Sequence, residues 1–214
     1  ESDLALFAAE HLSHRVAVHA GVVRYGGRGL GLPGPSFAGK STLCLAMAEL
    51  GAEIGSDEYA LVDPRNGLVE AWPRPVRRRR HDGGVDRLEL RNRWTTPVRA
   101  TTIAGLTFDP GSPVQWQYPA RSEAVQLVLR NTVCAHRYPQ RSLDAALQLT
   151  VGARALTGTR RDARVAAAHL LGLAEVGTGR AGGTWPSPST YHPAAEEGDR
   201  RREGQLGATQ HPLG

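Results

Sequence analysis

Gly34-Pro35-Ser36-Phe37-Ala38-Gly39-Lys40-Ser41-Thr42 matches the pattern G-x-x-x-x-G-K-[ST] in full, and no other stretch constrains the fold as tightly. That spacing describes a loop whose backbone N–H groups wrap the phosphates of a nucleotide. Lys40 would reach the β- and γ-phosphates as a point charge, and the Ser41 hydroxyl would hold Mg²⁺. The pattern has meaning only between a strand and a helix, and both flanks are present. Gly29-Leu30-Gly31-Leu32-Pro33 reads as a short, partly apolar strand. Thr42 to Leu50 has apolar residues at helical spacing, with Gly51 as its stop. A helix beginning there adds its own attraction for anions.

Lys40 is the only lysine of the chain, every other Lys/Arg position being arginine. The bias towards arginine has spared the one position where a slim ammonium fits among phosphates and a planar guanidinium does not.

At 214 residues the chain can bury a sizeable core in one domain, expected over 1–176. From Gly177 onward, glycine, proline, serine and charge predominate and apolar residues nearly vanish, so 177–214 reads as a disordered tail. The sequence opens on Glu1 rather than methionine, which leaves an upstream segment open. Two cysteines, Cys44 and Cys134, give no disulfide framework and no zinc spacing. No apolar run reaches membrane-spanning length and no signal peptide is visible. The expected compartment is the cytoplasm, with no membrane partner. A net charge of +5 invites a nucleic-acid reading, but the positive charge is spread, and no nucleic-acid partner is expected. The one dense block, Arg77-Arg78-Arg79-Arg80, reads as a solvated loop or as a means of capturing an acidic substrate or nucleotide phosphates.

In chain order, a helix is expected within 1–14. Strands follow on either side of a bend at Gly21, with a hairpin turn at Gly26-Gly27 leading into the loop strand. Residues 52–62 read as two short strands with Asp57 and Glu58 between them, Asp63 to Gly67 as a turn, and Leu68 to Trp72 as a strand. The stretch from Arg77 to Gly84 is expected to be a mobile loop. Strands are expected at Leu88 to Arg91 and at Val98 to Phe108. Helices are expected at Ser122 to Val133 and Ser142 to Val151, each capped by its serine, and at Ala163 to Ala174. Strands in the first half and helices in the second describe a mixed α/β domain.

Three features together resemble the kinase domain of HPr kinase/phosphorylase and its stand-alone relatives. Val18-His19-Ala20-Gly21 is similar to that family's V-H-G. The phosphate loop and its helix are followed by Ser56-Asp57-Glu58, where the family carries A-D-D. Leu88-Glu89-Leu90-Arg91 looks like the opening of its L-E-I-R-G signature. The resemblance covers about residues 15 to 110. It implies a fold related to PEP carboxykinase and an ATP- and Mg²⁺-dependent kinase acting on a serine hydroxyl. By position, Asp57 would be the base that accepts the hydroxyl proton, and His19 would lie near the transferred phosphate. Glu58 and Glu89 would join Ser41 at the metal. Phe37-Ala38 replaces a Gly-x pair, Glu58 the second Asp, and Asn92 the signature glycine, and the regulatory N-terminal domain has no counterpart. Those departures point away from HPr itself as substrate and towards the stand-alone branch, some members of which modify peptides. The implied partner is a peptide or protein hydroxyl, with a small metabolite as the alternative. The family also includes hexamers, so a homo-oligomer is in view.

Read without the resemblance, Asp57 ends a strand beside the loop strand, where a base or metal ligand belongs, or it caps a turn. Asp109 is either a rival metal ligand at a strand end or the aspartate of an Asp-Pro-Gly turn. His19 is either catalytic or a packed strand residue. Glu89 and Arg91 also fit the polar face of a half-buried strand. His136-Arg137 and Arg160-Arg161 could bind phosphates or peptide, though no spacing demands it.

Overall fold

The structure, a computed structural model, describes residues 2–72, 74–79, 84–88, 94, 96–111 and 115–176. Its elements are α1 (Ser2–Glu10), β1 (Val16–Tyr25), β2 (Arg28–Pro33), α2 (Lys40–Glu49), β3 (Glu53–Ser56), β4 (Tyr59–Val62), β5 (Leu68–Glu70), β6 (Val76–Arg79), β7 (Val85–Leu88), β8 (Val98–Phe108), β9 (Gln115–Gln117), α3 (Arg121–Arg130), α4 (Pro139–Thr150), β10 (Arg154–Arg160) and α5 (Ala163–Val176). The fold is mixed α/β. None of the described helices is long and apolar enough to cross a membrane.

Two long strands organise it. The first half of β1 pairs with β4 and its second half with β3, while β2 lies antiparallel along its length from Ala20 to Tyr25. The start of β8 pairs with β5, and its body runs parallel to both β2 and β10. At 10 and 11 residues, β1 and β8 are long enough to belong to two sheets at once. Their alternating side chains therefore feed two cores. Val18, Ala20 and Val22 of β1, with Ala100 and Ile103 of β8, meet α3 and α4 on one side. Val23, Ala104 and Leu106 meet α2 and α5 on the other.

Several expectations need correcting. β1 is continuous through Gly21, with no bend there; a Cβ at Gly21 would stand 2.7 Å from Cys44 Sγ, so the glycine lets α2 approach the sheet. The second half of the chain is not purely helical. It adds β9 and β10, and β10 sits between β8 and β9 in the sheet. The arginine block does not form a loop from Arg77: Val76–Arg79 pairs with Val85–Leu88 as a two-stranded ribbon. Leu88 lies in β7, and Glu89 to Asn92, the rest of the strand expected from Leu88, lie outside the described residues, as do Arg80 and 177–214. Neither serine caps its helix. α3 starts at Arg121, where Glu123 Oε2 accepts the Ala120 N–H at 2.7 Å. α4 starts at Pro139, whose fixed φ suits a first helical position, and Ser142 is buried one turn in. α5 is capped by Asp162, whose Oδ1 accepts the N–H groups of Arg164 and Val165 at 2.6 and 2.9 Å.

Candidate active site

β2, β8 and β10 are mutually parallel neighbours, and their carboxyl ends meet at the loop between β2 and α2. Ligands in α/β folds sit outside that edge of a sheet. The Phe108 N–H, at the end of β8, donates to Ala38 O at 3.3 Å. Arg160, at the end of β10, donates from its guanidinium to Gly39 O at 2.8 Å and lies over the Phe108 ring, 5.4 Å from its centroid. Gly39 has φ 83°, and a Cβ there would stand 2.3 Å from the Arg160 guanidinium. Glycine is thus required twice, by the left-handed backbone and by the arginine. Arg160 is 2 % exposed; burial lowers its pKa, yet an arginine stays charged. It is a cation built into the floor of the loop. The sequence offers Arg160 only as one of several arginines able to bind phosphates; the pairing of β10 with β8 is what brings it here.

α2 begins at Lys40 with no side-chain cap and no acidic residue in its first turn. Its amino end therefore offers N–H groups and a positive dipole to an anion. Lys40 Nζ donates to the carbonyls of Gly34 and Pro35 at 2.8 and 2.7 Å. Burial lowers the Lys40 pKa, and the carboxylates of Asp57 and Glu58 work against that. Phe37 holds φ 70° and is 78 % exposed.

The loop opens into a cleft of about 1680 Å³ that also receives His19, Asp57 and Glu58. Buried Ser56 sets the turn between β3 and β4: its Oγ accepts the N–H groups of Glu58 and Tyr59 at 3.0 and 2.9 Å. That turn presents Asp57 and Glu58 beside the loop. Asp57 Oδ2 accepts the Arg77 N–H at 3.4 Å, and Glu58 pairs with Arg74 at 3.3 Å. His19 is anchored through its backbone, its N–H donating to Asn131 O at 2.6 Å and its carbonyl accepting from Gly34 at 3.2 Å. Its ring lies 5.9 Å from that of Tyr59. Burial, helped by the Lys40 ammonium, lowers its pKa to about 4, so the imidazole is neutral at physiological pH.

Of the residues singled out in the sequence, Pro35, Ser36, Phe37, Gly39, Lys40, Ser41, Thr42, His19, Asp57 and Glu58 all line this cleft; Gly34 and Ala38 form the loop beneath it. Glu89 lies outside the described residues. Asp109 does not line the cleft; its Oδ1 accepts the Gly111 N–H at 3.0 Å, as a turn residue does. Among the described residues, no group of three or more His, Cys, Asp or Glu side chains is placed to hold a metal. The oxygens of Ser41, Asp57 and Glu58 are the hard donors Mg²⁺ takes, and an Mg²⁺ held by so few protein groups completes its shell with phosphate oxygens and water. The donor set thus fits a metal that arrives with a nucleotide.

No protein-family model matches the sequence, and no curated protein matches it. Among solved structures, the HPr(Ser) kinase/phosphatase from Coxiella burnetii aligns with 74% of this chain and 93% of its own, at 12% identity and a TM-score of 0.40. That is a distant structural likeness.

Proposed function

We propose that the chain is an ATP-dependent P-loop kinase that transfers the γ-phosphate to a serine-type hydroxyl of a peptide or protein. The observation that carries this reading is the gathering of an anion-binding loop, its lysine and an aspartate into one open cleft. Phosphoryl transfer asks a protein for placement, charge neutralisation and a base within reach of the nucleophile.

The uncapped end of α2 and Lys40 would hold the β- and γ-phosphates. The acceptor oxygen would form the new bond to phosphorus as the bond to the bridging oxygen of ADP breaks, with Asp57 taking the hydroxyl proton. His19, neutral at physiological pH, adds no positive charge there and can donate or accept a hydrogen bond near the transferred group. When bound, Mg²⁺ supplies charge neutralisation on the phosphates; Ser41 and Glu58 would hold it, and the resemblance adds Glu89.

The cleft extends from the phosphate loop to α1 and the β6–β7 ribbon, which leaves room for an acceptor beside the nucleotide. The test is transfer from γ-labelled ATP with Mg²⁺ to a panel of serine peptides, proteins and hydroxylated metabolites. Asp57→Asn is expected to lower transfer about 100- to 10,000-fold, the usual worth of a general base. Equal labelling by wild type and Asp57→Asn would remove the aspartate from the chemistry. ATP binding without labelling of any acceptor would favour a non-catalytic nucleotide-binding module.

A further inference from the structure

We propose that Phe108, at the end of β8, is a stacking platform for the base of the bound nucleotide. This rests on the nucleotide-binding part of the phosphoryl-transfer reading and adds a ligand subsite to it.

The topology separates the two ends of a nucleotide. The strand that leads into the loop, β2, has β1 on one side and β8 on the other. The groups proposed for the reaction stand on the β1 side. His19 lies in β1, its carbonyl accepting the Gly34 N–H, and Asp57 follows β3, which pairs with β1. An extended triphosphate with its γ-phosphate at Asp57 points its nucleoside the other way, towards the end of β8. Phe108 lines the cleft there.

The ring is also held ready. Ala104, Leu106 and Phe108 alternate onto one face of β8. The first two are buried against α2 and α5, whereas Phe108 runs past the end of that core and is 48 % exposed. Its N–H donates to Ala38 O at 3.3 Å, which fixes its backbone to the phosphate loop. Its register partner on β10 is Arg160, whose guanidinium lies 5.4 Å from the ring centroid and donates to Gly39 O at 2.8 Å. One buried arginine thus backs the ring and braces the loop together, tying the base platform to the phosphate site. A cation on one face leaves the rest of the ring to the cleft. A ring fixed in advance loses little freedom when a flat ligand docks on it. The π-face of a nucleobase is such a ligand.

The experiment is calorimetric titration with ATP and with inorganic tripolyphosphate, which has the phosphates without the base, each in Mg²⁺. Phe108→Ala is expected to weaken ATP binding about 5- to 150-fold, the worth of one base–aromatic stack, and to leave tripolyphosphate binding unchanged. Phe108→Tyr keeps the π-face and should restore ATP binding. Should Phe108→Ala not fold, Phe108→Leu carries the same comparison with a smaller loss, because it keeps bulk and lacks the π-face. An equal loss for both ligands would make Phe108 a support of the loop and overturn the proposal. Unaltered ATP binding in a folded Ala or Leu variant overturns it as well. Failure of wild type to bind either ligand would overturn the platform and the nucleotide reading together. A selective loss of ATP with no acceptor ever labelled keeps the platform and defeats the kinase reading; phosphate transfer without that selectivity does the reverse.

Discussion

The floor and the rim of the cleft are built by opposite means. The floor is backbone: a glycine-bearing loop, an uncapped helix end and three parallel strand ends, braced by one buried arginine. The rim is side chain: α1 and a two-stranded ribbon anchored by buried Val76, with Arg77 and Arg87 lining the cleft. A backbone floor reads charge and geometry common to all nucleotides, whereas a side-chain rim can be altered residue by residue without disturbing the sheet. The difference teaches where nucleotide binding and acceptor choice should reside.

The comparison is broken most severely at the floor. Lys40→Ala should cut phosphate transfer about 100- to 1,000-fold, as loss of a positioned cation at developing charge does, with an unchanged circular dichroism spectrum; unimpaired turnover would mean that the loop is not the nucleotide site. Gly39→Ala comes next. It forces a Cβ into the left-handed region and into the Arg160 guanidinium, and should cost about 2 kcal/mol in urea unfolding. An additional Arg160→Ala should recover none of the backbone part, so full rescue by it would show that the clash alone matters.

A smaller effect concerns acid stability. Folded His19 resists protonation down to about pH 4, whereas an unfolded histidine takes its proton near 6.5. The unfolded state therefore binds more protons between those values, so stability should fall as pH drops through that window and be unaffected by this group above it. His19→Asn should flatten that slope in urea titrations between pH 7.5 and 4.5; an unchanged slope would assign the acid loss to other groups. The smallest effect is at Phe37. A left-handed phenylalanine costs roughly 1–2 kcal/mol, and glycine there loses roughly 0.5–1 kcal/mol of chain entropy. Phe37→Gly should then stabilise by roughly 0–1.5 kcal/mol in urea unfolding.

The floor was largely legible in the sequence because its signals are local. Gly34 to Thr42 carries its own spacing, and Asp57-Glu58 falls between two short apolar runs that became β3 and β4. What stayed hidden depends on distant partners. β10, with the sequence RALTGTR, lacks an apolar alternation of its own and is a strand because β8 runs parallel beside it. Arg160 acquires its place only through that register. The arginine block looked solvated because charge dominates it, while one valine, Val76, decides that it lies down as a ribbon. The serine caps misled for a similar reason: Pro139 starts α4 three residues earlier, and Ser142 is drawn into the core.

The composition of the loop has a chemical consequence. Lys40 carries the single side-chain amine of these 214 residues, and burial makes that amine easier to deprotonate than an ordinary surface lysine. Acylating reagents, which attack neutral amines, have one side-chain amine to find in this sequence, and it stands at the mouth of the phosphate loop. The protein is thereby addressable at its own centre: a tag or crosslinker attached through that amine marks the loop and no other side chain.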